Sequence, residues 1–520
     1  MTNTLWLAAS NGWSSVLHDV NHPAAYYFNG KTYVVYSGGG KFDPYIVVFD
    51  HKTETWSSPT KVATSPIGSD NHGTPSIIVT DDGYIHVVYG CHLTALKHAR
   101  SNTPQDIAAF TVQADIGSQL SYPCPIKDSA GRVYLFARET SSGKYPEFLR
   151  ISTDNCATFG APVIIADLAD AADDIYWGDM AYDAVNQRIH MTWVWRDQTD
   201  DKRKHIYHAY YRISDGHVFS ASGMDFGMTL SKANADAYCV VFTSGNEDKY
   251  PRIELDADKN PVLIFKDQQA STSVLRCSRW TGSAWTSAAP IGLPSTNGFL
   301  WGDLYIKSGA GASADIIVYR SSANAIKDWV WHESGNGGLT WSREAVIYTS
   351  HLPAVGSCVY GWRVANYSLR VRQVFADLWD ATGLSNYVIA HSAVGYVNRS
   401  WMGVLDEGAE ILSVVRGDDK VYPLTVTEKA APHGVVDISD CTVVLTLRPT
   451  WKGTVFLQKT FELTDPVNGK AEVTFDAADT SALTNEKHEY VFDVQVTKPT
   501  GKVETLCKGK FLVLPEATYS

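Results

Sequence analysis

The chain lacks a basic surplus, a cysteine framework and a long apolar run. Its 520 residues hold 44 Lys and Arg against 56 Asp and Glu, a net charge of −12. Proteins that grip nucleic acid by its phosphates need a basic field, so no nucleic-acid partner is expected. An anionic ligand would have to find a local cluster of cations instead. The eight Cys are scattered, with no CxxC pair. They read as buried thiols rather than as a disulfide scaffold. No apolar run reaches the roughly 18 residues of a membrane helix, so no membrane insertion is expected. The opening stretch, Met1-Thr-Asn-Thr-Leu-Trp-Leu-Ala-Ala9, has none of the basic lead-in of a secretory signal. Action outside a cell is then expected through release by lysis or carriage on a particle.

What is abundant is aromatic: 16 Trp and 27 Tyr. Both suit β-structure and the stacking of sugar rings. Hairpin-like segments recur at 22–38, 72–90, 122–138, 176–196, 250–266, 301–320 and 362–379. Each repeat closes on an aromatic, in order Trp56, Phe110, Phe159, Phe219, Trp285, Trp341 and Trp401. Seven such units predict an all-β, seven-bladed β-propeller over residues 1–402, with a strand near residues 5–9 helping to close the ring. Two turn motifs support it. Ser334-Gly-Asn-Gly-Gly-Leu-Thr-Trp341 and Ser152-Thr-Asp-Asn-Cys-Ala-Thr-Phe159 both fit an Asp-box turn. Composition then shifts. Residues 403–413 read as a linker, and 414–520 as a small β-sandwich with no cluster of reactive groups.

Two consecutive hairpins carry the chemistry. In the first, Asp81-Asp82-Gly83 is the turn, and His72 and His92 lie ten residues either side of Asp82. They should face each other at the open end. In the second, Tyr122 and Arg138 lie eight residues either side of Ala130. If the hairpins stand side by side, all four side chains share one groove. Tyr176 and Arg196 flank the turn of the next repeat in the same way. Trp177, Trp195, Arg196 and His205 are therefore expected on that rim as glycan subsites, with Asn71 and Tyr250 as further substrate contacts.

The stretches Asp70-Asn-His-Gly-Thr-Pro-Ser76, Gly83-Tyr-Ile-His-Val-Val-Tyr-Gly-Cys-His92, Tyr122-Pro123 and Leu135-Phe-Ala-Arg138 resemble the BNR-repeat polysaccharide lyases, in particular the seven-bladed ulvan lyases. The resemblance runs more loosely over residues 15–400. It implies His72, Tyr122 and Arg138 as the catalytic group, with His92 as an active-site partner. It implies no particular polysaccharide. The C-terminal module, through Val415-Arg-Gly-Asp-Asp419, Tyr422-Pro-Leu-Thr-Val426 and Gly509-Lys-Phe-Leu-Val513, resembles the N-terminal domain of phage baseplate upper proteins. That implies a phage or prophage tail protein, with other tail proteins or further copies of this chain as partners.

The combined expectation is a lyase acting on an acidic, uronate-containing surface glycan. Such an enzyme must neutralise the uronate carboxylate, remove the C5 proton and protonate the leaving oxygen. Arg138 suits the first task, since guanidinium stays charged and can bind a carboxylate through two N–H groups. Tyr122 and His72 can each serve as base or acid. No cofactor is required, and a structural divalent cation is compatible with the sequence. Two rivals stand. One is a catalytically silent glycan-binding propeller of a phage tail. The other is a sialidase, which the Asp boxes suggest but which Asn21-His22-Pro23 fits poorly in place of an Arg-Ile-Pro segment.

Overall fold

The computed structural model describes residues 4–514 apart from 13–16, 18–20, 40, 54, 69, 141–144, 168–172, 245–248, 270–271, 296–300, 322–327, 350–360, 367–372, 379–385, 393–400, 406–410, 416–418, 429–435, 451–452, 483–488, 500 and 502. The protein is all-β, with short α-helices only at Lys232–Tyr238 and Ala477–Ala482 among the described residues. It divides into two compact units, residues 5–51 with 55–393, and residues 394–520 with 1–4 and 52–54.

In the larger unit the strands follow the repeats. Ser76–Val79 and Ile85–Tyr89 pair antiparallel, with Val79 opposite Ile85 across a turn in which Gly83 takes a φ of 82°. Every residue of Ile85–Tyr89 is buried, as expected of an apolar strand covered on both faces. The next hairpin pairs Ile116–Lys127 with Val133–Glu139. Thr94–Ser101 pairs with Ile116–Lys127 and so joins the second and third repeats in one nine-stranded sheet. Smaller sheets follow, one at Asp173–Phe242, one at Lys249–Ser295 and one at Gly302–Thr349. The last strands, Gly361–Arg363, Gln373–Leu378 and Asn386–Ser392, share a sheet with the first repeat, and Thr4–Gly12 lies between Asn386–Ser392 and Lys31–Gly38. The N-terminal strand thus links the end of the repeat array to its beginning. Covering those sheet edges removes a template for wrong pairing.

Both Asp boxes form the same turn. Asp154 accepts hydrogen bonds from the Thr158 N–H at 2.9 Å and the Thr158 hydroxyl at 2.6 Å, and Asn336 accepts from the Thr340 N–H at 3.0 Å. Cys156, at a φ of 60°, holds the place that Gly338 holds in the other box. Two buried histidine pairs, His86 with His98 at 2.9 Å and His190 with His208 at 3.0 Å, pack edge-on to Phe159 and Trp285. Burial keeps all four neutral, pushing His86 down to about 3 and His98 and His190 down to about 4.

The smaller unit is a two-sheet sandwich around Tyr422, Leu445, Phe475, Phe492 and Phe511. Lys470–Phe475 alternates exposed and buried residues, so only one of its faces meets this core. The expected linker at 403–413 is corrected here. Trp401–Leu405 pairs with Lys420–Glu428, and Ile411–Val415 pairs parallel to Val503–Leu514. Both segments are apolar enough to be strands, and they belong to the sandwich.

Candidate active site

The site begins with a short turn. Asp70 caps the 3-10 helix Asn71–Gly73, its Oδ1 accepting the His72 backbone N–H at 3.0 Å. Buried Asn21 donates to the carbonyls of His72 and Thr74 at 2.8 and 2.7 Å, which pins the turn. The hairpin ladder ends where the Gly90 N–H meets the Gly73 carbonyl at 3.0 Å. Gly90 has a φ of 68°, and a Cβ there would sit 2.7 Å from Pro66 Cδ, so only glycine serves. Just beyond the ladder, His72 and His92 stack with ring centroids 3.7 Å apart and planes within 10°. Asp70 bridges them. Oδ1 takes His72 Nδ1 and Oδ2 takes His92 Nδ1 at 2.6 Å. Burial alone would raise the Asp70 pKa, but these bonds outweigh it and bring it down to about 2.

Tyr122 reaches the same place through a backbone irregularity. The pairing of its strand slips between Ser121 and Cys124, and Tyr122 sits at a φ of 60°. A bulge of this kind re-aims a side chain, and a bulky residue at positive φ points to a functional site. The Leu93 N–H donates to the Ser121 hydroxyl at 3.0 Å, tying the His92 loop to this bulge. The Tyr122 ring lies 5.3 Å from the His72 ring.

Arg138 stands opposite Ser121 in the ladder. Its guanidinium packs over three phenol rings, Tyr122 at 4.5 Å, Tyr176 at 4.9 Å and Tyr145 at 5.1 Å. Only 4% of Arg138 is exposed, and among the described residues its Nε and Nη1 have no hydrogen-bond partner and it forms no ion pair. Glu147 is its cross-strand neighbour and is fully buried. Burial pushes the Glu147 carboxyl well above its ordinary pKa, with Arg138 opposing, and no ion pair joins the two. A buried cation without a counter-ion is costly to keep and is suited to an incoming carboxylate.

The structure brings His72, His92, Tyr122 and Arg138 together and places Asn71 in the adjoining turn. It treats the outer subsites differently. Trp177 and Trp195 are 1% and 4% exposed and lie in the core cluster with Phe136 and Trp193, which corrects the expectation of exposed stacking planes. Strand alternation and a slip in pairing after Trp177 turn both indoles inward. Arg196 is held by Asp174 at 3.0 Å and by Asp201, so its charge is already matched. His205 sits at its own bulge with a φ of 60° and accepts the Ser244 N–H on Nδ1 at 3.0 Å; burial lowers its pKa. The Tyr250 side chain lies outside the described residues.

Sequence reasoning noted Tyr176 only as flanking a turn, and it missed Asp70, Tyr145, Glu147 and Arg203, whose guanidinium lies 4.5 Å from the Tyr176 ring centre. Asp70, two residues before His72, was the one with a usable signal, since such spacing suits a cap. The donors of Asp70, His72 and His92 lie within 4.8 Å of one another, close enough to hold a divalent cation if it displaced the Nδ1 protons.

A separate cavity of about 570 Å³ contains none of the four residues. Its lining includes His22, Cys124, Asp179, Glu254 and Arg363. Arg363 pairs there with Asp179 at 2.7 Å, Asp303 at 3.0 Å and Glu254 at 3.3 Å. The Cys124 sulfur is 3.1 Å from His22, but burial drives the thiol pKa well up and the imidazole down to about 3. This pair is not an activated nucleophile.

A family model described as BNR repeat-containing family member matches residues 24–290. An ulvan lyase of Nonlabens ulvanivorans is 28% identical over 387 residues, covering 65% of this chain and 79% of that protein. Ulvan lyase-PL25 of Pseudoalteromonas sp. (strain PLSV) is 28% identical over 385 residues, covering 64% and 75%. Among solved structures, a polysaccharide lyase PL25 ulvan lyase superposes with a TM-score of 0.64 at 22% identity, over 74% of this chain and 94% of that one. A structure of such a lyase bound to -[GlcA(1-4)Rha3S]- gives 0.63 at 21%. These two superpositions show a shared fold.

Proposed function

This chain belongs to the BNR repeat-containing family, and from that premise and the groove geometry we propose that it is a polysaccharide lyase cleaving an acidic, uronate-containing glycan by β-elimination. The observation that carries this reading is Arg138, a buried guanidinium with no ion pair among the described residues, set beside Tyr122 and the His72–His92 stack. The similarity to ulvan lyases supports it, as does the glucuronate in the ligand of the solved complex.

In the proposed reaction Arg138 meets the uronate carboxylate and stabilises the negative charge that develops as the C5–H bond breaks. The electron pair forms the C4=C5 double bond, the C4–O bond breaks, and the leaving oxygen takes a proton. Tyr122 and His72 divide the two proton transfers. Tyr122 suits either task, since its ring is 4.5 Å from the Arg138 guanidinium and 5.3 Å from the His72 ring. Because Arg138 supplies the charge, no metal is assigned a catalytic step.

The wider reading keeps the seven-bladed ring, supported by the seven sequence repeats and by the strand that links last to first. It also keeps a phage or prophage tail depolymerase acting on host surface glycan, supported by the resemblance of the C-terminal sandwich alone. Tail partners, self-association and delivery on a virion belong to that part. The test is a screen against a panel of acidic polysaccharides, read by ultraviolet absorbance of the conjugated unsaturated uronate. Growth of that signal with the wild-type protein and its loss in Arg138→Met supports elimination. Binding without any such signal favours the silent glycan-binding rival.

A further inference from the structure

We propose that Asp70 is a positioning residue that sets the tautomer of both active-site imidazoles at once, so that His72 and His92 each carry a proton on Nδ1 and a lone pair on Nε2. The inference rests on the lyase reading for its consequence, but its geometry stands apart from it. A carboxylate is an acceptor on both oxygens, so each ring nitrogen facing Asp70 must donate. Oδ1 faces His72 Nδ1 and Oδ2 faces His92 Nδ1. In a neutral imidazole that leaves Nε2 as the basic atom, on the far side of the ring from Asp70.

Asp70 is itself held in place. It caps the Asn71–Gly73 turn, and Asn21 anchors the carbonyls at both ends of His72-Gly73-Thr74. Its Oδ1 also accepts the His72 backbone N–H at 3.0 Å, so all its contacts are those of an acceptor. With Nδ1 fixed, neither ring can turn over without losing its bond, and the 3.7 Å stack holds His72 parallel to His92. His72 is then presented edge-on to the groove in one protonation pattern, ready to take or return a proton beside Tyr122. A base oriented by a buried or partly buried carboxylate is a recurrent arrangement in acid–base catalysis.

The variant Asp70→Asn makes a sharp test. An amide has one accepting oxygen and one donating NH₂. Whichever ring faces the NH₂ must offer a lone pair on Nδ1 and so move its proton to Nε2. The first measurement uses full-length protein labelled with nitrogen-15 histidine. Long-range proton–nitrogen spectra read the tautomers, with His72→Gln and His92→Gln spectra assigning the signals. Both rings should be Nδ1–H in the wild type, and at least one should become Nε2–H in Asp70→Asn. The second measurement is steady-state lyase kinetics. In Asp70→Asn, kcat should fall on the order of 100-fold, the lower end of what acid–base catalysis contributes. KM should stay within about threefold, because no substrate contact is removed.

An Nε2–H tautomer on either wild-type ring overturns the proposal, whether or not the variant folds. So does a folded Asp70→Asn protein with wild-type kcat. If the wild type shows both Nδ1–H tautomers but forms no unsaturated product on any uronate polymer, the lyase reading fails while the hydrogen-bond assignment stands.

Discussion

Replacing Arg138 with Met separates a catalytic cation from a structural one. Met has a similar unbranched length and can fill the space among the three tyrosines. The stability change is the difference of two opposing effects. Three ring contacts at 4.5, 4.9 and 5.1 Å are lost, each worth about 0.5–2 kcal/mol. Against that stands the cost of holding an unpaired charge at 4% exposure, several kcal/mol in a folded protein. The two nearly offset, so unfolding should shift by no more than about 2 kcal/mol, a few degrees for a domain of this size. The rate should behave quite differently. Losing a preorganised group that meets developing charge costs about 100- to 1000-fold in kcat, or roughly 2.7–4 kcal/mol. Differential scanning calorimetry and the ultraviolet elimination assay read the two effects separately. A variant that melts far earlier yet keeps wild-type turnover per folded molecule would mean that Arg138 only plugs the core, and the argument from its uncancelled charge would be wrong.

Tyr122→Phe keeps the ring against Arg138 and His72 but loses the hydroxyl; kcat should fall by about 100-fold or more, while polymer binding measured by affinity electrophoresis stays close to wild type. The buried histidines predict an acid limit to stability. Burial holds the pKa values of His22, His86, His98, His190 and His208 below the ordinary 6.5 of histidine. The unfolded chain therefore binds more protons, and the stability these groups contribute is present above about pH 6.5 and is lost as pH falls toward their folded values. Glu147 and Glu254 act in the opposite sense, since their raised pKa values favour the fold at low pH. Replacing His86 and His98 together with Gln should flatten the acid limb of a Tm-against-pH curve; an unchanged slope would show that these two do not titrate on unfolding. A chain ending at residue 393, where the larger unit ends, should keep turnover on soluble polymer, and loss of turnover in a folded product would assign the sandwich a part in catalysis.

Much of the architecture was legible because it rests on local signals. The turn at Asp81-Asp82-Gly83 fixes the register of its hairpin, and counting outward from it reaches two histidines that stack. The Tyr122–Arg138 contact follows from the same counting, despite the bulge between them. What the sequence hid depends on the pleat and on neighbours distant in the chain. Trp177 and Trp195 look like sugar platforms by type, yet the two paired strands that carry them bury both. Arg196 looks like a free cation until Asp174 and Asp201 are seen beside it. Asp70 reads as a turn residue, and only the fold shows its second oxygen on His92. The sandwich boundary was missed because Trp401 closes the aromatic series of the repeats, although its backbone pairs with Lys420–Glu428.

The most direct test of the central claim is the structure of the cut end. Wild-type protein should be incubated with a uronate polymer, and the oligosaccharides examined by proton nuclear magnetic resonance. Elimination predicts a vinylic H4 signal at each new non-reducing end, formed by the wild type and nearly absent with Tyr122→Phe. Shortened chains that end in saturated uronate, with water added across the cleaved bond, would contradict the account.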